Sequence, residues 1–211
     1  MPLPTARSAT SPDRQWFIVG RWQQYYGEVR VNLLRALAIA SFYLVELINF
    51  GVLQVVSLKF HQAVTAICFA WLLVCVVVFL CLRRGFLPAW LKYVTTVIDL
   101  VLLGSIMTVG QGPQSPLVAG LFLVLALAGL RFDLHLIWFT TFAAVFTYLG
   151  LAAIGSPDWF AIRDFGVPRS DQLVVITAIG WTGILIGQMV RHARRMALHF
   201  STHLGALDNG D

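Results

Sequence analysis

The chain has 211 residues, of which 58% are hydrophobic and only 12% charged, with a net charge of +5 and a mean hydropathy of +0.78. That balance excludes an ordinary soluble domain, and the length leaves room for one membrane domain and little besides. The basic excess is too thinly spread along apolar sequence to point to nucleic acid and reads instead as membrane topology.

The first segment, residues 1–30, is polar and aromatic and lacks the apolar stretch and small-residue exit of a cleavable signal peptide. Ser11-Pro12-Asp13 has the chemistry of a helix start: a capping hydroxyl, a proline in the first turn and an acid at the positive dipole end. Trp16, Phe17, Trp22, Tyr25 and Tyr26 then interleave with Arg14, Arg21 and Arg30, which suits an amphipathic helix in the headgroup layer, or a polar tail.

About six apolar runs follow: Val31–Ser57, His61–Leu82, Trp90–Val109, Ser115–Leu130, Leu134–Ile154 and Asp171–Val190. Most approach the roughly 20 residues that cross a bilayer as a helix. The expected fold is therefore all-α, a polytopic membrane helix bundle over residues 31–191, followed by a helical tail at 192–211.

Within these runs a few polar groups stand out. Glu46 lies near the middle of the first span with Asn49 one turn on, and Asp99 lies in the third with Thr95 and Thr96 one turn before it and Lys92 two turns before it. A lone carboxylate in hydrocarbon costs a few kcal/mol, about 3 on insertion scales, so each acid needs a partner or a proton. Two readings follow. One is a polar site shared by the first and third spans, suited to a quinone headgroup, a small polar ligand or a proton; the other is an interhelical hydrogen-bond pair that fixes packing. The second run holds Cys68, Cys75 and Cys81, which on one helix form neither a disulfide nor a metal site and read as small packing residues.

Between the third and fourth runs, Val109-Gly110-Gln111-Gly112-Pro113-Gln114-Ser115-Pro116-Leu117 makes a hairpin, with Ser115 as a cap and Pro116 at the first helical position. A second tight turn is expected at Arg131–His135. Gly155–Ser170 is the one long connection, and its Ser156-Pro157-Asp158-Trp159-Phe160 can open a short interfacial helix.

In the last run Gly183 and Gly187 form a small-xxx-small face that permits close helix approach. The seam continues through Ala193, Ala197, Phe200 and Leu204 at three- and four-residue spacing, as in a two-stranded coiled coil and a homodimer. An amphipathic helix on the inner leaflet is the alternative, given Arg191, Arg194 and Arg195. With six spans, one face collects Arg7, Arg14, Arg21, Arg30, Arg35, Arg83, Arg84, Lys92, Arg131, Arg191, Arg194 and Arg195, against Lys59, Arg163 and Arg169 on the other. This asymmetry leads to the expectation that both termini are cytoplasmic.

No histidine pair faces across the bundle for haem, no glycine-rich loop follows a strand, and no nucleophile has a base beside it. Catalysis, a metal and a resident cofactor are not expected. The turn at residues 109–117, taken with Asp99 upstream and Leu130-Arg131-Phe132 downstream, resembles the six-helix membrane input domains of bacterial signalling proteins, which front histidine kinases and class III adenylate cyclases. Their pattern is Gly-Gly-x-x-Ser/Asn-Pro-Leu/Phe; Gln111 stands here where the first glycine would be. The resemblance implies a sensor or anchor that signals through its last helix to an output domain or partner. It also implies a ligand turn at Gly112, Ser115, Pro116 and Leu117, which in quinone-responsive relatives is implicated in quinone binding. The competing expectation is a structural or accessory subunit of a larger respiratory or photosynthetic membrane complex.

Overall fold

The computed structural model describes the backbone of residues 12–85, 88–154 and 168–208, with side chains for Tyr25 and for residues 27–85, 88–154 and 168–196. Among the described residues the regular structure is all helical. Six α-helices run in the order α1 (Pro12–Gly51), α2 (Leu58–Arg83), α3 (Leu91–Val109), α4 (Ala119–Gly129), α5 (Leu134–Ile154) and α6 (Arg169–Asp208). Five of them are long and apolar enough to cross a membrane. Large apolar side chains point outward all round them, with Leu33, Phe69, Phe146, Leu173 and Met189 each well exposed. A surface of that kind is stable in lipid and not in water.

Several boundaries differ from the sequence expectation. The first helix stops at Gly51 rather than running to Ser57; the chain turns at Gln54, which takes a positive φ of 54°, and Ser57 caps α2 by accepting from the Phe60 N–H at 3.3 Å. Apolar character continues through Val52–Val56, but a turn this close to a bilayer surface tolerates apolar residues, so hydropathy alone overshoots. Glu46 consequently lies near the end of its helix and not at the middle. α1 is helical from Pro12, the first described residue, with Ser11 outside the described residues, and no break separates an interfacial helix from the span. A helix of 40 residues is about 60 Å long, twice the hydrocarbon thickness.

The fourth run also changes form. Pro116 opens a 3-10 turn rather than an α-helix, after another 3-10 turn at Gly112–Gln114, and α4 itself covers only 11 residues. It nonetheless joins the two ends of the bundle. A Cβ on Gly110, before α4, would sit 3.4 Å from Phe60 at the start of α2, whereas Arg131, after α4, lies against Lys92 at the start of α3. The chain therefore makes six passes between two levels, here named the His61 end and the Arg131 end. Glu28 of α1 pairs with Arg131, and Arg194 of α6 donates to the Phe132 carbonyl, so the first and last helices both leave the bundle at the Arg131 end.

The glycines of α6 correct a second expectation. Gly183 does not present a free face to another copy, because α5 already fills it: a Cβ there would collide with Thr141 Oγ1 and lie 2.7 Å from its Cγ2. Gly187 faces Leu134 of α5 in the same way, with 3.5 Å to Leu134 Cδ1, and Ile186 fits over Gly129 of α4, where a Cβ would come to 2.5 Å. Small residues admit close approach by any helix, and the nearest is the preceding one in the chain. Ala193 is half-buried. The side chains of Ala197, Phe200 and Leu204 and the expected helix at Ser156–Phe160 lie outside the described residues.

Candidate functional site

The inward stripe of α1 carries most of the polar core. Glu28, Asn32, Arg35, Ile39, Tyr43 and Glu46 recur every three or four residues, one face of a helix, and each polar member meets a group on another helix or, for Glu28, in the α4–α5 turn. Asn32 Nδ2 donates to the Cys75 carbonyl at 2.9 Å, Tyr43 shares a hydrogen bond with Thr65 at 3.2 Å, and Glu46 stands 3.5 Å from His61 Nδ1. The partners descend α2 as their mates ascend α1, the register of an antiparallel helix pair.

At the centre, Arg35 Nη2 lies 2.8 Å from Asp99 Oδ2, and Trp71 Nε1 donates to Asp99 Oδ1 at 2.8 Å. Both charged side chains are only 3% exposed. Three helices thus converge on one carboxylate, and both its oxygens are satisfied. This answers the need for a partner that a lone acid in hydrocarbon has, but with groups the sequence reading did not assign. By sequence Arg35 belongs with the basic residues of the membrane face, whereas here its guanidinium is buried. Lys92, read as support for Asp99, pairs instead with Asp133 in the α4–α5 turn.

Above this centre, toward the Arg131 end, Arg131 forms a second knot. It pairs with Glu28 at 3.0 Å and donates to the Lys92 carbonyl at 3.0 Å, to Thr95 Oγ1 at 3.2 Å and to Thr96 Oγ1 at 3.4 Å. Thr95 and Thr96 therefore serve Arg131 and not Asp99. Partial burial pushes the Asp133 carboxyl up, but the Lys92 ammonium and the backbone N–H groups of Leu136 and His135 outweigh it and hold the group below the ordinary aspartate range.

The sequence-derived polar site therefore divides. Glu46 is eleven residues along α1 from Arg35, about 16 Å by helical rise, and belongs with His61, whose ring stacks on Phe50 at 4.0 Å between centroids. Asn49 stands one turn from Glu46, half-buried, and its carbonyl accepts from Val55. Two groups expected to share a site occupy different levels.

The turn, by contrast, comes close to the core. Gly112 takes a φ of +60°, which favours glycine. Ser115 is buried and its Oγ accepts from the Leu117 N–H at 3.2 Å; Pro116 is exposed. Leu117 lines a cavity of about 50 Å³ that also touches Arg35, Trp71 and Asp99. The cavity lies between α1, α2, α3 and α4, and apart from Arg35, Asp99, Gly120 and the Cys68 thiol its wall is aliphatic or aromatic. Gly120 of α4 packs against Leu103, with a Cβ there only 2.9 Å from Leu103 Cδ1. One cavity thus joins Asp99 to Leu117, two residues that no sequence spacing connects.

Among the described residues no three His, Cys, Asp or Glu side chains converge as a metal site would need. The signal that could have found Arg35 was present: Glu28, Asn32 and Arg35 are spaced i, i+4 and i+7, a polar stripe entering an apolar run. Fold and core together define a polytopic membrane protein, a helical bundle held by buried ion pairs. Compared with protein-family models, curated proteins and solved structures, the chain matches none.

Proposed function

We propose that the chain is a non-catalytic sensor or anchor module of a signal-transduction system in the bacterial inner membrane, with both ends in the cytoplasm. It passes the state of its polar core to an output domain or partner through α6. The observation that carries this reading is the continuity of α6, whose 40 residues run about 60 Å without a break from inside the bundle to well beyond it. Its packing favours the same reading. Gly183 and Gly187 on α5, and Ile186 on Gly129 of α4, hold α6 at close range, so a shift in either helix moves the last one.

Ala197 and Leu204 stand in sequence register with the buried Gly183 and Val190, at seven-residue steps along the same helix. Two copies meeting there give the parallel pair through which helix rotation or displacement is read. The test is cross-linking in native membranes with single cysteines in a background lacking Cys68, Cys75 and Cys81. Positions 197 and 204 are expected to link, and 195 and 202, on the opposite side of the helix, are not. Uniform linking, no linking in folded protein, or co-purification with cofactor-bearing subunits in fixed stoichiometry defeats the sensor reading, and the last of these establishes an accessory subunit.

A further inference from the structure

Four acids lie between residues 28 and 133, and three of them are matched to a permanent cation: Glu28 to Arg131, Asp99 to Arg35 and Asp133 to Lys92. Glu46 is the exception. It faces His61, a partner whose charge depends on whether it holds a proton. The bonding of this pair differs too. Glu46 Oε1 and His61 Nδ1 stand 3.5 Å apart, both are buried, and neither makes a hydrogen bond. With no proton on Nδ1 the two are acceptors facing each other, a costly arrangement away from water. One proton satisfies both, because it turns Nδ1 into a charged donor, and a charge-assisted bond of that kind closes to about 2.7–2.9 Å. The same proton settles the charge: the pair is neutral with it and holds a lone carboxylate without it.

The surroundings suit a proton and little else. Phe50 stacks on the imidazole with centroids 4.0 Å apart and planes within 5° of parallel, which fixes the plane of the ring. Glu46 sits in the last turns of α1 and His61 in the first turn of α2, just inside the exposed turn at residues 51–55. Their side chains keep 10% and 16% exposure, so a proton reaches them without a channel. Two ligand side chains are too few to hold a metal ion. The neighbours leave His61 as the group that titrates near neutrality. α1 packs on α2 and α4, and α2 packs on α3. α4 carries no charged side chain, nor does α3 beyond Asp99 or the turn after it. What remains, on α1 and α2 themselves, is Tyr43, Cys68 and the exposed Lys59, residue types that ordinarily titrate above about pH 8.

We propose that Glu46 and His61 form a proton-binding site at the His61 end of the bundle, which clamps the end of α1 to the start of α2 when the proton is held and loosens that corner when it is lost. The site goes beyond the sensor reading and stands whichever output α6 serves. In the topology proposed above it faces away from the cytoplasm.

The test measures unfolding of the full chain by denaturing detergent in mixed micelles between about pH 5 and pH 8, the range over which imidazole changes charge. A proton held by the folded state stabilises it as any ligand does. The unfolding equilibrium constant of the native chain is therefore expected to be about tenfold smaller at the acid end, the factor that a hydrogen bond to a charged group supplies. Glu46→Gln and His61→Gln are each expected to remove that difference, and the double variant to remove no more than either one. Survival of the difference in a single variant, or strictly additive losses, overturns the pair. A spectroscopic readout keeps the proposal open to failure where His61→Gln does not fold. With His135, His192, His199 and His203 replaced by Gln, the ¹⁵N signals of the remaining imidazole, in discs of zwitterionic lipid, are expected to pass from the neutral to the doubly protonated form within the same range. The Nδ1 proton is expected downfield, as in a strong hydrogen bond, and to move upfield in Glu46→Gln. A His61 charge state that does not change over the range, or an Nδ1 proton that keeps its position in Glu46→Gln, overturns the proton site.

Discussion

Asp99 and Arg35 form a neutral unit whose members are tolerable in the membrane only together. Asp99 was visible in the sequence because a lone carboxylate in an apolar run has no bland explanation. Its partner was not, because an arginine near the edge of a run reads equally well as a headgroup contact, and only the rotational setting of α1 turns it inward. The same ambiguity hid Arg131. The energetic consequence is asymmetric. Asp99→Asn is expected to cost about 3–5 kcal/mol, because it strands the Arg35 charge, while Arg35→Met combined with Asp99→Leu is expected to be neutral or stabilising by about 1–4 kcal/mol. Unfolding in mixed micelles with rising denaturing detergent reads both. If the single substitution is as mild as the double, the ion pair is not the organising centre of the bundle.

Among the elements, sequence located five helices well because a span needs a length of apolar residues that little else in a protein requires. It was weaker where helix chemistry and bilayer chemistry diverge, as at Val52–Val56, apolar yet a turn, and at Pro116, a good first residue for a helix that begins instead as 3-10. Small residues on α6 were legible as a close-packing face, but a glycine stripe carries no address for its partner. The structure gives the address as Thr141 and Leu134 of the same chain. Gly183→Ala should therefore destabilise the monomer by about 1–3 kcal/mol through overpacking, and adding Thr141→Ala should recover most of that loss by removing the two atoms the new methyl meets. Thermal unfolding at several protein concentrations distinguishes the cases. A loss that grows on dilution, or no rescue by Thr141→Ala, would return Gly183 to an interface between copies.

For the molecule as a whole, six passes depend on α4, the one helix too short to declare itself by length. Sequence reached the same number from a run of sixteen apolar residues, Ser115–Leu130. The structure supplies a different reason, since the residues before α4 lie beside Phe60 and those after it beside Lys92. A short helix can join both levels because its ends are not free in lipid: two 3-10 turns extend it at the His61 end, and at the Arg131 end the paired charges of Arg131 and Asp133 meet partners from α1 and α3 rather than open hydrocarbon. The bilayer around α4 is thus replaced by protein, and the usual length requirement relaxes. α1 and α6 leave the bundle at the Arg131 end, where Arg83, Arg84, Arg191 and Arg195 also gather, and by the charge rule this asymmetry is the ground for proposing that end as the cytoplasmic one. Reporter fusions at Met1 and after Asp211 are expected to register the cytoplasm, while insertions after Gln54 and after Gln111 register the opposite side. The decisive comparison is Gln111 with Asp211. Three passes separate them in this fold, two if α4 turns back within the membrane, so reporters at the two positions that register the same compartment would remove α4 as a crossing and with it the shared exit of α1 and α6.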